Sequence, residues 1–149
     1  MINDDLKLRG DVAIVLKDKD GKVKESREIN NLVVSAGLTY ICSRMADASA
    51  GVMSHMALGS GTTAAAAGDT DLESILGSRE ALDSTTASSN TITYISSFES
   101  GEGTGAVTEA GIFNAASSGT MLCHVIFPVV NKQADDTMSV TWTITLTAS

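Results

Sequence analysis

Charge is scarce in this chain, and positive charge is scarcer still. Only 19% of its 149 residues are Asp, Glu, Lys or Arg, against about 25% in an average soluble protein. Eighteen residues are acidic and ten basic, for a net charge of −8 at pH 7. Such a balance repels a polyanion like DNA or RNA unless the cations collect on one face. Lys17, Lys19, Lys22, Lys24 and Arg27 do collect, but Asp18, Asp20, Glu25 and Glu28 alternate with them. The local field nearly cancels, a solvated hairpin is expected there, and no nucleic-acid partner is expected.

Cysteine and histidine are equally sparse. Cys42 and Cys123 are the only cysteines, too few for a disulfide framework and not at CxxC metal spacing. Both have apolar neighbours, so buried free thiols are expected. His55 and His124 are the only histidines. Cys123 and His124 are adjacent, so on a strand they point to opposite faces and cannot easily share a metal. No run reaches the ~18 apolar residues that span a bilayer. The amino-terminal residues lack an apolar core of signal-peptide length. A chain made in the cytoplasm, neither secreted by the usual route nor inserted in a membrane, is expected.

What remains is apolar, small and hydroxylated. Hydrophobic residues make up 43% of the chain, and 149 residues suffice for one domain burying about 70% of its unfolded surface. The exterior must be largely Ser, Thr, Ala and Gly, a surface suited to broad contact with other subunits.

Periodicity predicts strands. Leu6 to Asn30 reads as a hairpin turning at Asp18-Lys-Asp-Gly21, its return strand charged enough to suit a sheet edge. Residues 6–30 are also the candidate for an N-terminal arm. Helical spacing of Leu38, Ile41, Cys42 and Met45 predicts one helix over Ser35 to Met45, with Ser35 as N-cap. His55 to Leu58 reads as a short strand. Asp69 or Thr70 is expected to cap a helical turn over Leu72 to Leu76, and Ser84 to Ser89 reads as a polar loop. Strands follow over Thr91 to Glu99, Val107 to Phe113 and Met121 to Val130, the last with Pro128 at an edge or bend. Ser139 to Thr147 alternates strictly, with Val140, Trp142, Ile144 and Leu146 against hydroxyl residues. About eight strands and one or two short helices result. The predicted class is all-β, an antiparallel β-sandwich of jelly-roll type.

Motifs that would carry chemistry are missing. Gly101-x-Gly103-x-Gly105 has no P-loop lysine and precedes a strand, so turns with positive backbone torsions are the expectation there and at Gly59-Ser-Gly61. Asp69, Asp71 and Glu73 are too few for a calcium loop and fit helix capping better. No nucleophile-elbow motif accompanies the histidines. Glu109, among apolar residues, needs a partner if buried, and Arg79 or Arg44 is the expected one. Trp142 is expected in the core rather than at an interface. No catalytic, cofactor-binding or metal residue is assigned.

Several segments carry a likeness to known proteins. Asn31-Leu-Val33 with Gly37, Leu58-Gly-Ser-Gly-Thr-Thr63 followed by Asp69-Thr-Asp-Leu72, and Glu109-Ala-Gly-Ile-Phe-Asn114 occur in order. A closing alternating strand around Trp142 follows them. In this arrangement the chain resembles small structural proteins of tailed-bacteriophage virions: capsid decoration (cement) proteins and tail-fibre or baseplate-associated proteins. The resemblance implies a non-enzymatic β-domain bound to the major capsid protein on the capsid exterior, bridging neighbouring capsid subunits. It implies a homo-oligomer, a trimer slightly ahead of a dimer, with no cofactor, no membrane and no direct nucleic acid. A tail-fibre or baseplate component is the alternative, and an enzyme or small-ligand module on a β-sandwich a third class.

Overall fold

The computed structural model describes residues 5–46 and 50–148. Nine strands and one helix follow in the order β1 (Leu6–Lys17), β2 (Val23–Val33), α1 (Ser35–Met45), β3 (His55–Gly59), β4 (Glu80–Ala81), β5 (Ser84–Ser88), β6 (Thr91–Phe98), β7 (Gly105–Phe113), β8 (Met121–Lys132) and β9 (Thr137–Ala148). All strand pairings are antiparallel, and the strands form one sheet in the order β4-β3-β7-β8-β2-β1-β9-β6-β5. The sheet curls so that its two halves face each other. Val12, Ile14, Phe98, Val140 and Trp142 from one half meet Leu58, Ile112, Val125, Phe127 and Val130 from the other in a single apolar cluster. The protein is therefore all-β with one short helix, as its periodicity predicts.

The alternation in β9 sets this geometry. Val140, Trp142 and Ile144 are buried while Ser139, Thr141 and Thr143 on the opposite face are only partly covered, the signature of a sheet solvated on one side. β7 and β8 lack such alternation because both of their faces are covered. Pro128 stands where one residue of β7 (Thr108) faces three of β8 (Phe127, Pro128 and Val129). A bulge tolerates the missing N–H, and Arg27 donates to the carbonyls of Pro128 and Val129 beside it.

Several expectations change. The 6–30 hairpin forms, but β1 is interior, registered along its full length against β9 and against β2 from Gly10 onward. β2 also lies inside the strand order rather than at its end, although only Leu32 and Val33 pair with β8. The helix has its expected span, yet its N-cap is Val34 without a side-chain bond. The Ser35 N–H instead donates to the Ala67 carbonyl. Ser84–Ser88, expected as a loop, is strand β5, since backbone pairing with β6 needs no apolar residue. Residues 72–76 form no helical turn. Cys123 is buried but Cys42 is exposed, because helix periodicity places it on the outer face of α1.

Candidate functional site

One cluster of ionisable groups is built deep in the structure. It lies on the outer face of the β3-β7-β8 half, beneath residues 60–76. The β7–β8 register sets Gly111 opposite His124 and Glu109 opposite Ile126. Glu109 and His124 are thus diagonal neighbours on one face, near enough for long side chains to touch. Gly59 is opposite Glu109 on the other side. It leaves a gap for the carboxylate that no other residue could leave.

Glu109 is fully buried, and its two oxygens are saturated. Oε1 accepts the backbone N–H groups of Gly61 (3.0 Å) and Ser74 (2.8 Å). Oε2 accepts the Glu73 N–H (3.1 Å) and His124 Nε2 (2.9 Å). His124 Nδ1 lies 2.7 Å from Asp69 Oδ2, which also accepts the Ala66 N–H. Each ring nitrogen thus faces a carboxylate oxygen, and a ring N–H on either side donates to Asp69 or Glu109. Burial by itself pushes the Glu109 carboxyl up, but the Ser74 N–H, His124 and the Glu73 and Gly61 N–H groups together hold it below the usual carboxylate range. The Ala66 N–H, followed by His124, lowers Asp69 likewise.

The glycines here act by absence rather than by torsion. Gly101, Gly103 and Gly105 do have positive φ (84°, 60° and 139°), as expected of the turn they form. Gly59 and Gly61 do not. A Cβ on Gly61 would come within 2.6 Å of Glu109 Oε1, and one on Gly59 would overlap the same oxygen. Both positions are glycine so that backbone and carboxylate can touch. Thr108 Oγ1 completes the seam with a 2.6 Å bond to the Gly61 carbonyl.

Arg79 belongs to a neighbouring contact and not to Glu109. Its guanidinium stacks 3.5 Å above the Phe113 ring, a cation–π geometry. It donates to the carbonyls of Ala115 (3.0 Å) and Ser118 (2.7 Å), which fixes the β7–β8 turn. Asp71 is a looser partner at 3.4 Å. Arg44, in the last turn of α1, donates to the Ala50 carbonyl. Neither arginine reaches Glu109, because the 15-residue spacing of Glu109 and His124 across the Ala115–Gly119 turn brings the histidine there first. The spacing alone does not identify His124, because it is the register shift between Ile112 and Phe113 that sets Glu109 and His124 on one face.

Asp69, Asp71 and Glu73 are likewise dispersed. Asp69 holds His124, Asp71 holds Arg79, and Glu73 accepts the Thr63 N–H at 3.0 Å. They secure a loop, where helix capping was the expectation. Among the described residues no group of three or more His, Cys, Asp and Glu side chains could hold a metal ion. Cys123 faces the core, where burial pushes its thiol up to about 12. Ser54 Oγ and His55 Nδ1 are 2.8 Å apart, a contact between chain neighbours.

A second polar cluster has no precursor in the sequence reading. Lys132, at the end of β8, is 1% exposed and donates to the Glu99 carbonyl at 2.9 Å. Burial lowers its ammonium below the usual lysine range, against the pull of Asp136, Glu102 and Glu99. Asp136 accepts Lys24 Nζ (2.7 Å) and the Gln133 N–H (2.8 Å). These bonds fasten the 133–136 turn to the β1–β2 hairpin and the Glu99 loop.

Comparison of the chain with protein-family models, curated proteins and solved structures found no match. No helix among the described residues is long and apolar enough to cross a membrane.

The buried network makes stability depend on acid. Asp69 and Glu109 are both held below their ordinary values, so protonation favours the unfolded chain. Their contribution is complete above the unfolded carboxylate values of about 4 and disappears as pH falls through the lower folded ones. Urea unfolding followed by fluorescence is expected to show a flat midpoint from pH 8 to 5 from these groups and a steep fall below about 4. In Asp69→Asn the fall should be shallower. An equal slope in that variant would mean that other carboxylates govern acid unfolding.

Proposed function

We propose that this protein is a structural component of a tailed-bacteriophage virion, a capsid decoration protein that binds the outer surface of the head and bridges neighbouring capsid subunits. The observation that carries this reading is the use of the Glu109–His124–Asp69 network. Every buried oxygen of Glu109 is taken up by the chain's own N–H donors, and a carboxylate so saturated has no lone pair left for substrate chemistry. The constellation most like an active site acts as a clamp for the Gly61–Ser74 segment. On this reading the protein is not an enzyme and needs no cofactor.

The residues behind the virion resemblance support the same view. Leu58 to Thr63, Asp69 to Leu72 and Glu109 to Asn114 are distant in sequence, yet they meet around that clamp. Motifs that share one architectural joint are what a family of building blocks would retain. The hydroxyl-rich face of β9 and β6 suits repeated contact with other subunits. A protein that binds only the assembled shell stabilises it by mass action.

The test is copy number, by quantitative mass spectrometry of purified virions against the major capsid protein. Decoration predicts one copy per capsid subunit or a simple fraction of it. A few dozen copies or fewer would transfer the protein to the tail fibre or baseplate, and absence from particles would overturn the virion reading.

A further inference from the structure

Any open sheet must protect its edges, since unpaired N–H and C=O groups recruit other strands. Among the described residues the sheet has three exposed stretches, and two of them are protected. β4 is only two residues long. The outer side of β2, unpaired by β8 over 23–31, is studded with Lys24, Glu25, Arg27 and Glu28, and Arg27 bridges across to β8. β5 has no such guard. Among the described residues it ends the strand order and pairs with β6 on one side only, and all five of its residues are exposed. Ser84-Thr-Thr-Ala-Ser88 contains no charge and no proline.

We infer that β5 is a self-association edge, on which β5 of a second copy adds as an antiparallel strand. Charge argues for this occupant. Each copy carries −8, so most faces of two copies repel, whereas two β5 strands meet without opposing like charges. A two-fold axis at Thr86 sets Thr86 against Thr86 of the second copy and Ser84 against its Ser88, a self-complementary register. Thr85 of β5 also borders an apolar groove of about 510 Å³ lined by Tyr40, Ile92 and Leu146. Met45 and Val52, 84% and 63% exposed, lie on the same groove. Pairing along β5 removes part of this apolar surface from water, which strand hydrogen bonds alone would not do. Two-fold pairing closes as a dimer, and it holds wherever in a virion, or outside one, the protein acts.

Sedimentation of the full chain between about 1 and 100 µM reads the association directly. The wild type is expected to form dimers in this range. Thr86→Lys sets two ammonium groups face to face across the axis and should raise the dimer dissociation constant by up to about fivefold. Thr86→Pro should abolish pairing. Should the proline also disturb β5–β6, the lysine variant, checked for native circular dichroism, decides. A wild type that stays monomeric throughout, or an oligomer whose dissociation constant the lysine leaves unchanged, overturns the inference.

Discussion

Replacing Glu109 by alanine is expected to lower the unfolding free energy by about 3–5 kcal/mol, the range for removing one partner of a buried charge pair. The loss exceeds an ordinary hydrogen-bond deletion because it is not confined to one bond. Three N–H donors, of Gly61, Glu73 and Ser74, lose their acceptor inside the protein. His124 keeps only Asp69, and its buried Nε2 is left without a partner. Each buried group left unsatisfied costs about 1–3 kcal/mol, and relaxation of the 60–76 segment toward water recovers some of that. Glu109→Gln separates charge from shape, since its amide oxygen can still accept two of the N–H bonds while its NH₂ opposes His124. It should fall between wild type and alanine in urea unfolding. If Glu109→Ala loses less than about 1 kcal/mol, the network is not the clamp described above. Hydrogen exchange offers a second readout: the Gly61 and Ser74 amides should lose protection before the β9 amides do.

Truncating Trp142 to alanine should cost a similar amount, about 3–5 kcal/mol, for a different reason. Trp142 is fully buried at the centre of β9, between Val12 of β1 and Tyr94 of β6. Its removal leaves a cavity between the two halves of the curled sheet, and the flanking strands cannot close it without breaking their own register. Among the described residues the indole Nε1 has no hydrogen-bond partner. Trp142→Phe therefore gives up apolar volume but also removes an unsatisfied donor, and should cost much less than alanine. Guanidinium unfolding of the two variants checks this order. A larger loss for phenylalanine would mean that the indole N–H is bonded in solution. Since Trp142 is fully buried and does not itself line the groove beside β5, neither variant should shift the dimerisation expected of β5.

The sheet was legible where one face is dry. The alternation of β9 specifies a strand by burying one side, and the Asp20-Gly21 turn follows from its turn residues; α1 keeps its expected span although Leu38, Cys42 and Met45 of its apolar spacing are exposed. The exposed β5 had no such signal. All its residues face water, so hydrophobic pattern cannot distinguish it from a loop, and only pairing with β6 makes it a strand. The same limit hid β2's interior position, because its charges line the open gap beside β8 rather than a free edge of the whole sheet. At Leu72 to Leu76 the capping signals of Asp69 and Thr70 were real local preferences. They lost to Glu109, which draws the Glu73 and Ser74 N–H groups away from a helical path.

The candidate site divides similarly. Composition alone establishes that there is no metal-ligand spacing among the cysteines and little positive charge for nucleic acid. The need of Glu109 for a partner also follows from its apolar neighbours. Which partner it takes does not, because a carboxylate is satisfied by any donor the fold delivers. Strand register delivered His124, chain reversal delivered three backbone amides, and the arginines were occupied elsewhere. By itself, then, the amino-acid sequence determined the β class, the helix, the main turns and the acidic, hydroxylated character of the surface, since these depend on short-range periodicity and composition. Only the tertiary structure decided the partner of Glu109, the reason for Gly59 and Gly61, and which sheet edge stays open. Those depend on groups that are remote in the chain and meet through register alone.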